Sequence, residues 1–404
     1  MKTKAKFKQT EIGMIPEDWR LLEIWEVAEV IGGGTPSTKN PEYWEGDIAW
    51  ITPRDLSNFR FRYIKRGERN LTKKGLENSS AKLLPKRTVL LTTRAPVGYL
   101  AIADNEVTTN QGFRNLIPNT KTSSEFLFYL LRKNVEILKS NSTGTTFGEL
   151  SGSTLKSLRF PFPPLGEQTA IAKILSDLDS KIELNQQMNK TLEAIGQAIF
   201  KHWFNSGDIP EDWKTKPLDE IAEFLNGLAL QKYPAKEGES YLPVIKIREL
   251  RNGITEQTDK ASLNIPKEYI VDNGDVLFSW SGTLEVEIWT DGQGALNQHL
   301  FKISSNEYPK WFYYLWTKHF LPKFRHIAEG KATTMGHIQR HNLSESNVII
   351  PDKEKMKEMN EVMSPLIERM ILLMLKSRNL DKIRDSLLPK LMSGKIRVPV
   401  EVRI

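Results

Sequence analysis

Two long stretches of this sequence place apolar residues at steps of three and four, a spacing that strongly limits how the chain can fold. They lie at 166–204 and 356–391. On a helix, such residues form one stripe, the seam of a coiled coil. At about 1.5 Å of rise per residue, each stretch predicts a rod roughly 50–60 Å long. Both exceed ordinary globular helices, so we expect them to pair with each other rather than to pack on separate domains.

The expected seams differ in regularity. In the first stretch the seam consists of Ile171, Ile174, Leu178, Lys181, Asn185, Met188, Leu192, Ile195 and Ile199. In the second it consists of Met356, Met359, Met363, Leu366, Met370, Leu373, Ser377, Leu380, Arg384, Leu387 and Leu391. A polar seam residue such as Asn185 fixes register at a cost in stability. Ser364-Pro365 is typical of a helix start, so we expect a short helix before it and a kink or break there. Pro389 should end or bend the last turn.

Composition indicates an ordinary globular protein of two or three domains. The chain has 404 residues, 39% hydrophobic and 26% charged. It has no cysteine, which excludes disulfides and cysteine–zinc sites, and no apolar run near the roughly 20 residues that span a membrane. We therefore expect a cytoplasmic protein. The net charge is +7, from 57 basic and 50 acidic residues, a modest excess that favours a polyanionic partner.

The sequence repeats itself once. Ile-Pro-Glu-Asp-Trp at 15–19 recurs at 209–213, and Asn110-Gln111 recurs as Asn297-Gln298. The aromatic, helix-like segment 125–132 has a counterpart at 309–318, and Thr-Thr-x-Gly occurs at 145–148 and 333–336. At one offset of 188, Ser176, Leu178, Leu192 and Ile195 fall on Ser364, Leu366, Leu380 and Ile383. A globular module followed by a long helix therefore occurs twice, which predicts an internal pseudo-two-fold and antiparallel rods.

Short β-type runs such as 89–93 and 276–280, separated by polar loops, indicate an α+β fold for each module. We therefore expect two globular domains, separated and tied together by two long helices in an antiparallel coiled coil. The expected segments are a first domain at 1–164, a central helix at 165–205, a second domain at 206–351, a C-terminal helix at 352–394 and a tail at 395–404.

Two features carry a resemblance to a known family. One is the doubled Ile-Pro-Glu-Asp-Trp, and the other is the run Pro-Pro-Leu-Gly-Glu-Gln-Thr-Ala-Ile-Ala-Lys-Ile-Leu at 163–175. With the alternation of module and long helix, the chain resembles the specificity (S) subunit of type I restriction–modification systems over almost its whole length.

That resemblance implies a DNA-recognition role. Each module would be a target-recognition domain that reads one half of a bipartite site in double-stranded DNA. The coiled coil would set the half-site spacing and dock two adenine-N6 methyltransferase subunits, which carry the restriction translocase subunits. Outward helix residues, including Gln168, Lys173, Gln186 and Arg369, would face these partners. S-adenosylmethionine, ATP and magnesium are expected on the partner subunits, and no cofactor in this chain.

DNA contacts require Lys, Arg or backbone N–H groups for phosphates and paired donors and acceptors for bases. Gly33 would let the backbone approach a phosphate. The other candidates of the first module are Gly34, Thr35, Ser37, Arg54, Thr93, Arg94, Asn110, Gln111, Arg114, Thr143, Thr145 and Thr146. Those of the second are Gln231, Lys232, Lys246, Arg248, Ser279, Trp280, Ser281, Asn297, Gln298, His299, Lys331, Thr333, Thr334 and Arg340.

Base readers should lie where the two modules differ, if the modules read different sequences. This favours Arg54, Arg94, Arg114, Arg248 and Trp280, whereas the Thr-Thr-x-Gly loops fit phosphate contacts. The recurring Asn-Gln pairs fit either a base contact or a role in the shared fold.

Catalytic signals are weak. The only Pro-Pro, at 163–164, lacks the neighbours of a methyltransferase base-holding loop, and Gly32–Gly34 lacks the spacing of a cofactor loop. His337 and His341 are spaced like zinc ligands on a helix, but neither a Glu after His337 nor any Cys accompanies them. We expect a chain without catalytic activity of its own. The alternatives are a specificity subunit of another restriction–modification class, a coiled-coil scaffold with two protein-binding modules, and a single-chain enzyme.

Overall fold

The computed structural model describes residues 6–57, 59–143, 148–205, 209–330 and 336–399. The chain forms two compact units. The first unit is Met1–Glu183 with Leu380–Ile404, and the second is Leu184–Asn379. Each unit takes part of both long helices. We call the globular parts, 6–164 and 209–351, the first and second modules.

The first module is mixed α+β. Its strands are β1 (Phe7–Thr10), β2 (Gly13–Pro16), β3 (Arg20–Glu23), β4 (Ala28–Gly32), β5 (Trp44–Ile51), β6 (Tyr63–Ile64), β7 (Arg69–Leu71), β8 (Val89–Thr93), β9 (Val97–Ala103), β10 (Thr108–Thr109), β11 (Phe113–Pro118) and β12 (Arg159–Phe162). Its helices are α1 (Ile24–Val27), α2 (Pro53–Ser57), α3 (Lys73–Glu77), α4 (Ser124–Lys133), α5 (Val135–Ser140) and α6 (Gly152–Ser157). The long helix α7 (Leu165–Asn205) follows.

A five-stranded sheet, ordered β4-β11-β8-β9-β6, forms the centre of the first module, beside a three-stranded sheet ordered β10-β5-β7. Successive side chains of a strand point to opposite faces. Val89 and Leu91 of β8 accordingly enter one core with Phe126 of α4, whereas Leu90 enters another with Ile51. The central strand is therefore buried on both faces, which explains its continuous apolar run.

The second module repeats this plan. Its strands are β13 (Lys214–Pro217), β14 (Glu223–Asn226), β15 (Tyr241–Ile245), β16 (Lys260–Ser262), β17 (Ile270–Val271), β18 (Val276–Ser279), β19 (Val286–Ile288), β20 (Gly294–Leu296), β21 (Leu300–Ser304) and β22 (Asn347–Ile350). Its helices are α8 (Leu218–Ile221), α9 (Ile247–Asn252), α10 (Lys310–Gly330) and α11 (Arg340–Ser344), and the long helix α12 (Lys353–Met392) follows.

Strand order confirms the internal repeat. The order β14-β21-β18-β19 matches β4-β11-β8-β9, and β16-β15-β20 matches β7-β5-β10. In both modules the equivalent strand pairs, β5 with β10 and β15 with β20, are parallel. Equivalent strands place equivalent loops at the same end of each module.

The two long helices pack together and run antiparallel. In the first unit, Ile171 and Leu175 of α7 share a core with Leu388 and Leu391 of α12. In the second unit, the C-terminal part of α7, with Phe200, shares a core with the N-terminal part of α12. Asn185 is 0% exposed, and its Nδ2 donates to Ser377 Oγ at 3.3 Å, so two polar seam residues meet in one layer.

The expected seam of α12 is confirmed, whereas that of α7 is wrong in part. None of the expected α12 seam residues is exposed. In α7, however, Ile174 and Ile195 are 36% and 42% exposed, and Lys181 is exposed. The buried positions are one residue further on, as at Leu175 and Ile182. Gln168, expected on the outer face, is buried, and its amide donates to Lys121 O and Pro163 O.

The break expected at Pro365 is also wrong, because α12 continues through it. Pro365 is exposed, while Met363 and Ile367 on either side are buried in the seam. The helix loses the hydrogen bond that an amide at 365 would make, but seam packing holds both flanks in helical geometry. Ser364 Oγ donates to Asn360 Oδ1 at 2.6 Å, a contact within the helix rather than a cap. Pro389 lies in the last turn, and α12 ends at Met392.

Residues that follow α12 complete the first unit. Arg397 donates to Glu167 Oε1 at 2.8 Å and to Asp18 Oδ2 at 2.6 Å. Glu167 in turn accepts from Trp19 Nε1 at 3.0 Å, and Trp19 is fully buried. The first copy of Ile-Pro-Glu-Asp-Trp therefore has a structural role, because Arg397 and Glu167 link it to the residues after α12. Within the described residues, no helix is long and apolar enough to cross a membrane.

Candidate DNA interface

The loops that follow β4 and β10 are joined at one end of the first module. Gly34 N donates to Thr109 O at 2.8 Å, and Thr35 Oγ1 donates to Gln111 Oε1. A Cβ on Gly33 would lie 1.9 Å from Asn110 O, so only glycine permits this approach. Gly33 therefore brings two loops together. The backbone groups of Gly34 are also used, because its carbonyl accepts from Trp50 Nε1 at 3.0 Å.

Two arginines share one carboxylate beside these loops. Arg114 on β11 lies 3.6 Å from Glu149, and Arg94, which follows β8, lies 4.0 Å from it. The Arg94 and Arg114 side chains are 38% and 24% exposed, so both keep contact with solvent. A carboxylate that holds two guanidinium groups orients them without neutralising both. This arrangement suits a ligand with acceptor atoms or negative charge.

Arg54 is a highly exposed member of the expected arginines. It lies on α2, directly after β5, with its side chain 85% exposed and 3.8 Å from Glu68. A Cβ on Gly112 would lie 3.1 Å from Pro53 Cγ, which places α2 next to the loop after β10. Arg54 therefore belongs to the same end of the module as Thr35 and Gln111.

Asn110 and Asn297 shape the same turn in both modules. Asn110 N donates to Ile51 O at 3.0 Å, and its Oδ1 accepts from Gly112 N at 2.9 Å. Asn297 N donates to Ile245 O at 3.2 Å, and its Oδ1 accepts from His299 N at 3.2 Å. Asn297 is also only 3% exposed. The recurring Asn thus serves the shared fold, and the neighbouring Gln111 and Gln298 remain candidates for contact.

The second module places aromatic and imidazole rings at the loop where the first has Arg94. Trp280 follows β18, and its ring centroid lies 6.1 Å from that of His299 and 6.3 Å from that of His337. His299 Nδ1 and Ser281 Oγ are 3.0 Å apart, and Trp280 Nε1 donates to Asn226 Oδ1 at 3.0 Å. These contacts orient the rings of a half-exposed surface that can stack on or pack against a base.

Arg340 borders this surface from α11. Its Nη2 donates to Phe224 O at 3.2 Å, and its guanidinium lies 5.7 Å from the Phe301 ring centroid. Arg340 is exposed as a whole. It therefore combines a fixed position with a charge that remains accessible.

Three of the expected cations follow β14 and β15 in the second module. Lys232 is exposed, and Lys246 donates to Asp259, whose pKa it holds below its usual range. Arg248 donates to Glu249 Oε1 at 2.9 Å and to Gln257 O at 2.9 Å. Lys246 and Arg248 keep 41% and 51% of their side chains exposed. They follow β15 as Arg54 follows β5.

A family model described as the type I restriction modification DNA specificity domain matches residues 16–194 and again residues 210–380. The chain belongs to this specificity family.

Relatives of this specificity subunit span nearly its full length. It is 37% identical over 422 residues to the type I restriction enzyme MjaIX specificity subunit of Methanocaldococcus jannaschii, a match that covers 98% of this chain and 97% of that protein. It is 23% identical over 471 residues to the HindI specificity subunit of Haemophilus influenzae, covering 94% and 100%. The crystal structure of the type I S subunit from M. genitalium has the same fold, with a TM-score of 0.59, 17% identity and coverage of 96% and 99%. The two modules are its target-recognition domains.

Three hydroxyl residues among the expected contacts of the specificity subunit are buried, which corrects the expectation that they face DNA. Thr93 and Ser279 are 0% exposed, and Ser281 is 5% exposed. Thr93 N donates to Gly112 O at 2.8 Å, and Ser279 Oγ donates to Thr283 O at 2.6 Å. Small hydroxyl residues at strand ends satisfy neighbouring backbone here instead of facing a ligand. We assign these three residues, with Gly34 and Asn297, to the support of the loops.

Glu149 and His337 are the residues that sequence reasoning missed as parts of these surfaces. Glu149 is far in sequence from Arg94 and Arg114, so no local sequence pattern predicts that it pairs with them. For His337, the sequence suggests only a zinc site shared with His341, from their spacing of four residues. In the specificity subunit His337 pairs in a β-bridge with Ser281, whereas His341 lies on α11, so the two are not on one helix.

Five expected DNA contacts lie outside the described residues of the specificity subunit: Thr145, Thr146, Lys331, Thr333 and Thr334. Among the residues that the structure does describe, no group of three or more His, Cys, Asp and Glu side chains could hold a metal ion.

Proposed function

We propose that this specificity subunit binds double-stranded DNA and that each module reads one half of a bipartite target. The observation that carries the proposal is the contrast at equivalent loops. Around strands of the same order, the first module presents Arg94, Arg114 and Glu149, whereas the second presents Trp280, His299 and Arg340. One scaffold with two different loop chemistries suits the reading of two different sequences.

The first module has the chemistry for guanine. Arginine donates to guanine O6 and N7 as a bidentate pair, worth about 1–3 kcal/mol of discrimination against another base. Arg94 and Arg114 are oriented by Glu149 and remain partly exposed. Thr35 and Gln111 on the adjoining loops, with the exposed Arg54, would contact neighbouring bases or phosphates.

The second module would read by shape as well as by hydrogen bonds. The Trp280 and His299 rings offer an apolar face that packs against a thymine methyl group, and Gln298 offers a paired donor and acceptor that suits adenine. Lys232, Lys246, Arg248 and Arg340 would hold phosphates around this face.

The long helices would set the spacing between the half-sites. Helix α7 has 41 residues and α12 has 40, so each is about 60 Å long at 1.5 Å per residue. Paired helices of this length are stiff enough to act as a spacer. We propose that they place the half-sites about one helical turn of DNA apart, roughly 34–36 Å.

The same helices would dock two methyltransferase subunits. Large apolar residues are exposed at Ile174, Leu184 and Ile195 of α7 and at Val362, Leu372 and Ile383 of α12. The second set follows the first at one offset of 188 positions. Two repeated apolar faces suit two copies of one partner, because exposed apolar groups that are regularly placed mark interaction surfaces.

Catalysis would then belong to the partners. We propose that the chain has no activity of its own, that S-adenosylmethionine, ATP and magnesium bind the methyltransferase and restriction subunits, and that the restriction subunits join through the methyltransferase. The complex would act in the cytoplasm, where the host DNA lies.

The test is co-expression of the chain with its cognate methyltransferase in a host without other N6-adenine methylation, followed by sequencing of N6-methyladenine in the host DNA. A bipartite, asymmetric motif with a fixed gap is expected. A complex that purifies intact but methylates no such motif contradicts the reading role. Failure to form any complex or to bind DNA favours the scaffold alternative instead.

A further inference from the structure

We propose that Arg62 and Arg132 in the first unit and Lys318 in the second are positioning residues that anchor each module on the long helices. By fixing the orientation of a module on its helices, these residues determine how narrowly the chain accepts the spacing between half-sites. The proposal rests on the proposed function, and it assigns part of the spacing precision to these anchors rather than to helix length alone.

Arg62 ties the central sheet of the first module to α7. Its Nε and Nη2 each lie 3.2 Å from a different oxygen of Glu183, and Nη2 also donates to Ser180 Oγ at 2.6 Å. Its backbone N donates to Glu183 Oε1 at 2.8 Å, and its carbonyl accepts from Ile102 N of β9 at 2.7 Å. Arg62 is only 5% exposed. One residue is therefore hydrogen-bonded to both the sheet and the helix.

Asp179 forms a second anchor on the same face of α7. It is 4% exposed, and its Oδ2 accepts from Tyr129 Oη of α4 at 2.6 Å. Arg132, also on α4, lies 3.5 Å from the same carboxylate. Arg384 of α12 donates to Asp179 Oδ1 at 2.7 Å. This carboxylate thus links the module helix to both long helices.

Lys318 anchors the second module on α7. It lies near the middle of α10, at the end of the aromatic segment that corresponds to the one ending at Arg132. Lys318 donates to Glu193 of α7 and lies 3.9 Å from Glu287 of β19. Its Nζ is also 5.0 Å from the Tyr314 ring centroid. In both units, a cation after an aromatic hydroxyl residue therefore reaches an acid on α7.

Buried ion pairs define orientation more sharply than apolar contacts do. Apolar surfaces can slide over each other at small cost, because their attraction has no direction. A small rotation of the first module would instead separate Arg62 from Glu183 and Arg132 from Asp179, and it would leave the Arg62 guanidinium buried without its partner. Burial acts to lower the pKa of Arg62, but its bonds to Glu183 outweigh this and raise it, so the guanidinium stays charged. Each module is thereby held in one orientation.

The test measures spacing tolerance directly. A plasmid library carries the two half-sites separated by the native gap, by one base pair less and by one more. The full chain, co-expressed with its methyltransferase, should methylate the native gap. With Arg62→Met and Arg132→Met together, methylation of the altered gaps relative to the native gap should rise by roughly tenfold, the change that about 1.4 kcal/mol produces. Lys318→Met should do the same through the second module.

Two controls separate positioning from general weakening. Lys73→Met removes a side chain that is 87% exposed and paired with Glu77 within α3, and it should leave the gap preference unchanged. Arg62→Glu alone should broaden the preference, and its combination with Glu183→Arg should restore it by reversing the pair. Arg132→Met alone provides a milder variant, because the Arg132 side chain is 33% exposed.

The outcomes distinguish the two proposals. If the parent methylates one gap and the variants lose stability or total methylation at an unchanged gap ratio, the anchors are merely structural and the inference is overturned. If the parent methylates no bipartite motif, the proposed function fails, and the anchor proposal fails with it. A broadened gap preference, reversed by the charge exchange, supports both.

Discussion

Substitution of Arg114 should be the most informative test of how the first module recognises DNA bases. Arg114→Ala should relax the sequence preference at one or two positions of one half-site, because it removes a guanidinium that Glu149 orients at the loop end of the sheet. The expected loss is about 1–3 kcal/mol of discrimination at that position. The measurement is the methylated motif of the variant compared with that of the parent.

The control for this variant is Arg159→Ala, which removes an arginine of β12 that pairs with Glu11 and with Glu23 of β3, away from the loops. It should leave the motif unchanged. An Arg114→Ala variant that keeps the full motif would show that Arg114 only supports the fold.

Tyr314 should contribute to a loss of protein stability at alkaline pH. It is 2% exposed, and burial raises its pKa to about 12. The unfolded phenol ionises near pH 10, whereas the folded one retains its proton until about pH 12, so the free energy of unfolding falls across that interval. The loss from this group is about 2–3 kcal/mol. Urea unfolding at pH 9 and pH 11 should show a smaller decrease for Tyr314→Phe than for the parent.

Tyr241→Phe is the matched control, because Tyr241 is 47% exposed. Its decrease between the two pH values should equal that of the parent. A Tyr314→Phe variant with the parent's decrease would mean that other groups, such as lysines, account for the alkaline loss.

Residue types alone were enough to select the loops that carry the candidate DNA contacts. They were not enough to predict which side chains of those loops face outward. An asparagine that caps a turn and one that reads adenine look alike in a sequence, and only the contacts of Asn110 and Asn297 assign them to the turn. Their recurrence in both copies was the available signal, since a shared residue is better suited to a shared fold than to two different targets. Thr93 and Ser279 end buried strands, and a strand's last inward side chain is not marked in the sequence.

At the level of whole elements, α12 stays helical through Pro365, because the packing of its flanks outweighs the tendency of proline to break a helix. Pro365→Ala should raise the free energy of unfolding by about 1–3 kcal/mol, because it restores a backbone hydrogen bond and removes a clash inside a continuous helix. Urea denaturation at neutral pH measures the change. Pro85→Ala, at an exposed position outside the helices, should bring no such gain. A loss of stability in Pro365→Ala would mean that the seam requires the local distortion.

The spacing of apolar residues was enough to predict that α7 exists and pairs with α12. It was not enough to predict which face of α7 is buried. Ile174 and Ile195 looked like seam residues because apolar side chains also cover its outer face. The internal repeat held the missing information. Carried back by 188 positions, Met363 and Met370 of the regular α12 seam fall on Leu175 and Ile182, which are buried. A helix with two apolar faces has no single period, so a second copy is needed to choose between them.

For the molecule as a whole, the proposed spacer role predicts a shift in the gap. One added heptad in α7 and one in α12, placed beside the layer of Asn185 and Ser377, lengthens the helix pair by about 10 Å. The gap between half-sites should grow by about three base pairs while the half-sites stay the same. Sequencing of methylated DNA measures both. Seven residues inserted instead in the exposed turn at Gly238 should leave the gap as it is, and an unchanged gap in the heptad variant would contradict the spacer role.

The order in which the chain is made bears on how the first unit can be completed. Its two parts, Met1–Glu183 and Leu380–Ile404, are separated by the whole of Leu184–Asn379. At about 5–20 residues per second, a ribosome needs roughly 10–40 s to synthesise that intervening stretch. Throughout that time, Ile171 and Leu175 lack the Leu388 and Leu391 side chains that cover them in the finished protein, and Glu167 lacks Arg397. Translation that stops within the second module therefore leaves the first unit incomplete too, and a nascent chain depends on protection of that uncovered seam until its own later residues arrive.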